Sequence, residues 1–159
     1  MSMADVREQI RVILAGVSGI GIIHDYRRWS GDWSRFLDLF KDANGKLNGW
    51  MISREKTPET VMSQGGRNTR THHFKIYGIY GLKDSDGSEL IFQDLVEAVC
   101  TAFRSKDTLN GTVWSCTPAE NAPEGVAGIQ VDLVEPRMFG NVLCHYAELS
   151  LYAQELTTT

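Results

Sequence analysis

The chain has little cysteine and no apolar run long enough to cross a bilayer. Its 159 residues hold three cysteines, Cys100, Cys116 and Cys144, widely spaced and without a Cys-x-x-Cys pair. An odd, scattered set excludes a disulfide framework and the usual zinc signatures, and it points to synthesis in a reducing cytoplasm. The longest apolar stretch, Val12 to Ile23, is interrupted by Gly16, Gly19 and Gly21 and is too short for a membrane span. The opening residues, MSMADVREQI, lack the basic start and apolar run of a signal peptide. Positive charge is also scarce. A net charge of −4 argues against a general nucleic-acid binder, which presents a basic face. No internal repeat, low-complexity tract or linker rich in Pro, Gly or Ser divides the chain, so a single domain is expected.

What is present is the composition of a globular protein, 42% hydrophobic and 23% charged. Val6, Ile10, Ile13 and Val17 recur at steps of four, three and four, the stripe of an amphipathic helix over about residues 4–15. A shorter helix fits SGDWSRFLDLF, capped by Ser30 or Asp32, with Trp33, Phe36, Leu37 and Phe40 on one face. The turn ANGK leads to a strand over residues 47–53. A third helix is expected over about residues 88–106, with Ile91, Leu95, Val99 and Phe103 as its stripe and Asp86 and Glu89 at capping-box spacing.

Strict alternation marks the strands. In THHFKIYGIYGL, residues Phe74, Ile76, Gly78, Tyr80 and Leu82 share one face, and Lys75, Tyr77 and Ile79 the other. A short strand is expected over residues 112–117 after LNGT, and another over 129–133, followed by the turn PRMFGN. In the last strand, 142–154, Leu143, His145, Ala147, Leu149, Leu151 and Ala153 oppose Tyr146, Glu148, Ser150 and Tyr152. Such alternation belongs to an antiparallel sheet with one covered face. The element order implies an α+β fold, mostly antiparallel, with helices packed on one face of the sheet.

Candidate chemistry is sparse. His72 and His73 are neighbours on a strand, so their imidazoles point to opposite faces and cannot share one metal ion without a bulge. They read as polar residues at a strand edge, with a metal site as the alternative. His145, on an apolar face, is by default a core histidine bonded to a neighbour, and a catalytic base by the alternative reading. Cys144 faces away from it, which excludes a Cys-His pair within that strand but not across strands. GVSGIG has the order Gly-x-x-Gly-x-Gly, follows a helix, and lacks the Lys-Ser or Lys-Thr of a phosphate loop. Glu120 and Glu124 read as solvated charges in a loop. No residue is assigned to catalysis, to a cofactor or to a metal.

Two surfaces carry the interaction signal instead. Tyr77, Tyr146 and Tyr152 lie on the strand face away from the expected helix layer, and Tyr gives an interface both area and a hydrogen bond. A partly covered face within one subunit explains them equally. Residues 54–70 are polar, hold Gly65 and Gly66, and show no clean period; they are expected as a long exposed loop. Within it Arg54, Lys56, Arg67 and Arg70 outnumber Glu55 and Glu59, and Val61 and Met62 add an apolar contact.

The opening helix VREQIRVILAGV, the strand HHFKIYGIYGL after its long polar segment, the helix ELIFQDLVEAVCTAF, then TLNGTVW and the closing strand NVLCHYAELSLYAQEL together resemble tail-terminator and tail-completion (minor tail) proteins of long-tailed bacteriophages. The likeness covers most of the chain and lies in architecture rather than in a signature motif. It implies a non-enzymatic structural subunit, made in the host cytoplasm and located in the virion tail. Its partners would be copies of itself in a ring, typically a hexamer, together with the tail tube protein and the head-tail connector. No membrane and no sequence-specific nucleic acid are implied, with DNA able to pass through the ring. Neck proteins of the head-tail junction are near alternatives. A small α+β enzyme or ligand-binding protein using His73, His145 and a cysteine is the rival from another class.

Overall fold

A computed structural model of the chain describes residues 2–63 and 65–158. The first helix, α1 (Met3–Ala15), begins at a reciprocal cap. Asp5 N donates to Ser2 Oγ at 3.2 Å, and Ser2 N donates to Asp5 Oδ2 at 2.9 Å. The helical spacing identifies the buried stripe: Val6, Ile10 and Ile13 face inward, and Val17 continues it. The helix α2 (Trp33–Asp38) is short, with Asp32 Oδ1 accepting from Ser34 N at 2.9 Å. The helix α3 (Ser88–Arg104) buries Phe92, Leu95, Val96, Val99, Cys100 and Phe103. Ile91, expected in that stripe, lies outside it and is 46% exposed. No capping box forms at its start. A 3-10 turn, Asp84–Asp86, leads to Gly87 at φ 65°, a left-handed conformation that glycine adopts without strain.

Six strands form one mostly antiparallel sheet: β1 (Ile22–His24), β2 (Asn48–Lys56), β3 (Glu59–Ser63), β4 (Arg67–Gly81), β5 (Gln130–Phe139) and β6 (Val142–Thr158), in the order β1-β2-β4-β6-β5. β1 is parallel to β2 and the other pairs are antiparallel. β3 pairs with the start of β4, so β2 and β3 lie end to end along one edge of it. They are interrupted at Thr57 and Pro58, where Thr71 N donates to Pro58 O at 3.0 Å. The segment 54–70 is therefore not a loop. Apart from Gln64, which lies outside the described residues, most of it is paired backbone in a three-stranded arm built from β3, the start of β4 and the end of β6. Its side chains carry no period because polar residues occupy both faces, and the partner strand holds it extended.

Two other boundaries differ. Residues 112–117 form a turn whose backbone meets the sheet through the bridge Ser115↔Gln154 and a bond from Trp114 N to Gln154 O of 2.8 Å, with Val113 and Cys116 buried in the core. The expected turn PRMFGN is mostly strand. β5 runs through Pro136 to Phe139, and Gly140–Asn141 alone reverses the chain. Proline is tolerated there because β5 is an edge strand.

The sheet is the middle layer between two cores. On one face α1 and α3 cover Trp50, Ile52, Phe74, Ile76, Leu149 and Leu151. On the other, α2 contributes Phe36 and Leu37 to a cluster with Phe40, Met51, Tyr77, Ile79, Phe139 and Tyr146. Two helices thus share one face, as expected, and the shortest covers the opposite one. Among the described residues no helix is long and apolar enough to cross a membrane.

Candidate functional site

The tyrosine face is largely interior. Tyr77 and Tyr146 are each 6% exposed. Their rings stack with centroids 6.4 Å apart, Arg137 Cζ lies 4.0 Å above Tyr146, and Tyr146 OH donates to Glu148 Oε1 at 2.7 Å. Burial pushes both phenol pKa values up. The strand parity that separated them from the α1/α3 face holds, but α2 and the segment before it cover them. They are corrected from interface to core. Tyr152 is half-buried, with its ring edge-on to His73 at 4.7 Å.

The arm distributes its charges unevenly. Arg54, Lys56 and Arg67 are exposed. Arg70 is not a free cation: it pairs with Glu59 at 3.1 Å and with Glu155 at 3.1 Å. At the arm's outer end Val61 is 76% and Met62 48% exposed. Glu120 and Glu124 are exposed, as expected, and the loop that holds them crosses the arm. Glu120 Oε1 accepts from Thr60 at 2.8 Å and also from Thr69, which holds its carboxyl below the usual range. His73 Nε2 lies 2.6 Å from Asn121 O.

His72 is not at a strand edge. It is wholly buried within β4, with Nδ1 2.9 Å from Thr57 Oγ1. Its Nε2 stands 3.2 Å from Glu155 Oε1 without an aligned hydrogen bond. Burial lowers its pKa, and the Glu155 carboxylate opposes that only in part. The unfolded chain therefore binds this proton more tightly than the fold does. Stability from His72 is complete above the ordinary histidine range and is lost as pH falls from there toward the depressed folded value. His145 acts in the same direction, also through burial. Urea unfolding should show lower stability at about pH 5 than at about pH 7.5, with a shallower slope in His72→Asn. An identical slope in the variant would mean that His72 contributes nothing.

His145 is a core histidine. Lys83 N donates to Ser88 Oγ at 2.9 Å, and the same hydroxyl is hydrogen-bonded to His145 Nε2 at 2.7 Å. Phe92 stacks on the imidazole at 5.6 Å. Ser88 is 4% and His145 6% exposed, and His145 lies at the edge of a cavity of about 280 Å³ lined also by Glu89, Phe92 and Pro136. Burial pushes the Cys116 thiol up to about 12 and Cys144 to about 11, far from the thiolate a nucleophile needs. Among the described residues, no three His, Cys, Asp or Glu side chains are placed to hold a metal ion.

The most prominent exposed cluster is one that sequence reading passed over. The segment YRRWSGDW, residues 26–33, crosses the α2 face and leaves Tyr26 57%, Trp29 73% and Trp33 54% exposed. Arg27 lies between rings, its Cζ 4.9 Å from Trp29 and 5.2 Å from Tyr77. Arg28 lies 5.1 Å from the Tyr26 ring and 3.1 Å from His24 Nδ1. His24 Nε2 is 2.6 Å from Leu39 O, so Nε2 carries the proton and Nδ1 accepts from Arg28. Between this segment, Tyr77, Tyr146 and Phe139 lies a cavity of about 370 Å³. Trp, Tyr and Arg are the residues that dominate interface energetics, and their density in eight consecutive positions was the available signal. Chemically, the arrangement suits protein contact: flat apolar area framed by cations. No protein-family model matches the chain, and no curated protein is significantly similar to it.

Proposed function

We propose that the protein is a non-enzymatic structural subunit of the tail of a long-tailed bacteriophage. In this reading it is made in the bacterial cytoplasm and assembles with copies of itself into a ring, most simply a hexamer, that completes the tail tube and meets the head connector. The observation that carries this reading is the three-stranded arm. Its strand β3 leaves Val61 and Met62 exposed side by side, and a tube protein beneath the ring would cover them. Exposed apolar groups held side by side are a feature of contact surfaces. The resemblance of the quoted stretches, over most of the chain, to tail-terminator and tail-completion proteins supports the same reading.

Native mass spectrometry of the purified protein should give a closed oligomer. A monomer at high micromolar concentration would remove the proposal. The paired substitution Val61→Ser with Met62→Ser should change unfolding free energy by less than about 0.5 kcal/mol, as exposed positions do, while impairing docking to tail tubes. Normal docking by that variant would leave the arm without this role.

A further inference from the structure

We propose that residues 26–33 of one copy seat on the outer face of α3 in the next copy. This rests on the ring reading and names the interface that would close it. Arg27 and Arg28 are cations in contact with rings and His24, and none of the ion pairs among the described residues uses either. The one carboxylate of the segment, Asp32, caps α2, so the patch suits a partner that is both apolar and acidic.

One surface of the same chain has that character. On α3, Glu89, Asp94 and Glu97 are exposed beside Leu90, 67% exposed, and Ile91, 46% exposed. Its single basic residue, Arg104, lies in the last turn. None of the ion pairs among the described residues uses Glu89, Asp94 or Glu97. Leu90 and Ile91 would meet Trp29 and Trp33, and the carboxylates would meet the guanidiniums.

The two patches lie on opposite sides of the sheet: α3 belongs to the core holding Trp50 and Leu149, and the 26–33 segment covers Tyr77 and Tyr146. They cannot meet within one chain. A contact between different patches of identical subunits is heterologous, and it either closes into a ring or continues as a filament. Opposite charge across such a contact fixes its register and steers encounter.

Charge exchange tests it on the full chain, with association followed by analytical ultracentrifugation and native mass spectrometry. Arg27→Glu with Arg28→Glu should weaken self-association by at least about tenfold, and Glu89→Lys with Asp94→Lys should do the same. The four substitutions together should restore association to within a few-fold of the parent. Trp29→Ser, at a 73% exposed position, should weaken association without altering charge or the unfolding midpoint. Rings that persist in both charge-reversed variants would overturn this interface and leave the ring reading intact. Weakening by each pair with no recovery in the combination would also overturn the pairing. A parent protein that stays monomeric would remove the ring reading and this interface together.

Discussion

Trp50→Ala is expected to lower the unfolding free energy by about 3–5 kcal/mol, the usual cost of deleting a large buried aromatic. Trp50 is wholly buried, stacks on Phe92 at 6.0 Å, and donates from Nε1 to Asn48 Oδ1 at 3.1 Å. Asn48 Nδ2 in turn donates to Gly19 O at 2.8 Å, so the indole also orders the chain that leaves α1. The ring lies across Gly78, where any Cβ would come within 2.5 Å of it. Truncation would open a void where β2, β4 and α3 meet, against a total stability of only about 5–15 kcal/mol for a typical domain. Urea unfolding followed by circular dichroism measures the loss. A cost below about 1 kcal/mol would mean that the packing around Gly78 is not as described.

Tyr146→Ser should cost a similar amount, about 3–5 kcal/mol, because it empties the second core rather than a binding face. Its ring packs against Tyr77 and Phe139, and Arg137 lies over it. The conservative variant Tyr146→Phe gives up only the bond to Glu148 and should cost about 0.5–1.5 kcal/mol. If Tyr146→Ser keeps the parental unfolding midpoint and abolishes self-association instead, the α2 face is open and the tyrosines are interface after all.

The distance between those two positions describes what sequence could convey. Tyr146 sits on a strand whose alternation is plain, whereas Trp50 lies in the consecutively buried run of β2, and the face it takes is set by pairing with β4. The stripes of α1 and α3 were equally legible, since Val6, Ile10 and Ile13, and Leu95, Val99 and Phe103, are buried at the spacing that identifies them. Parity says which residues share a face but not what lies over it. Tyr146 is covered by a six-residue helix and an irregular aromatic segment, neither of which announces a destination. The arm failed to register for a different reason. Arg67 to Thr71 is extended because β6 pairs along it, a fact of tertiary structure that local polarity contradicts. His72 belongs to the same stretch, and its complete burial follows from that pairing rather than from its neighbours in sequence. The 26–33 cluster was visible as composition. Its meaning depends on α3 presenting acid and leucine on the far side of the sheet, which no local pattern contains.

The sheet order places β6, the last strand along the chain, between β4 and β5. Until that strand emerges during synthesis, β4 has one long unpaired edge, and its Phe74, Ile76 and Tyr80 lack the β6 residues that complete their core. Pairings so distant in sequence close large loops and form slowly. A nascent chain in that condition exposes the kind of strand edge that recruits other chains. Expression yield should consequently depend on how quickly the ribosome delivers residues 142–158, and slow codons just upstream of them would favour aggregation over native protein.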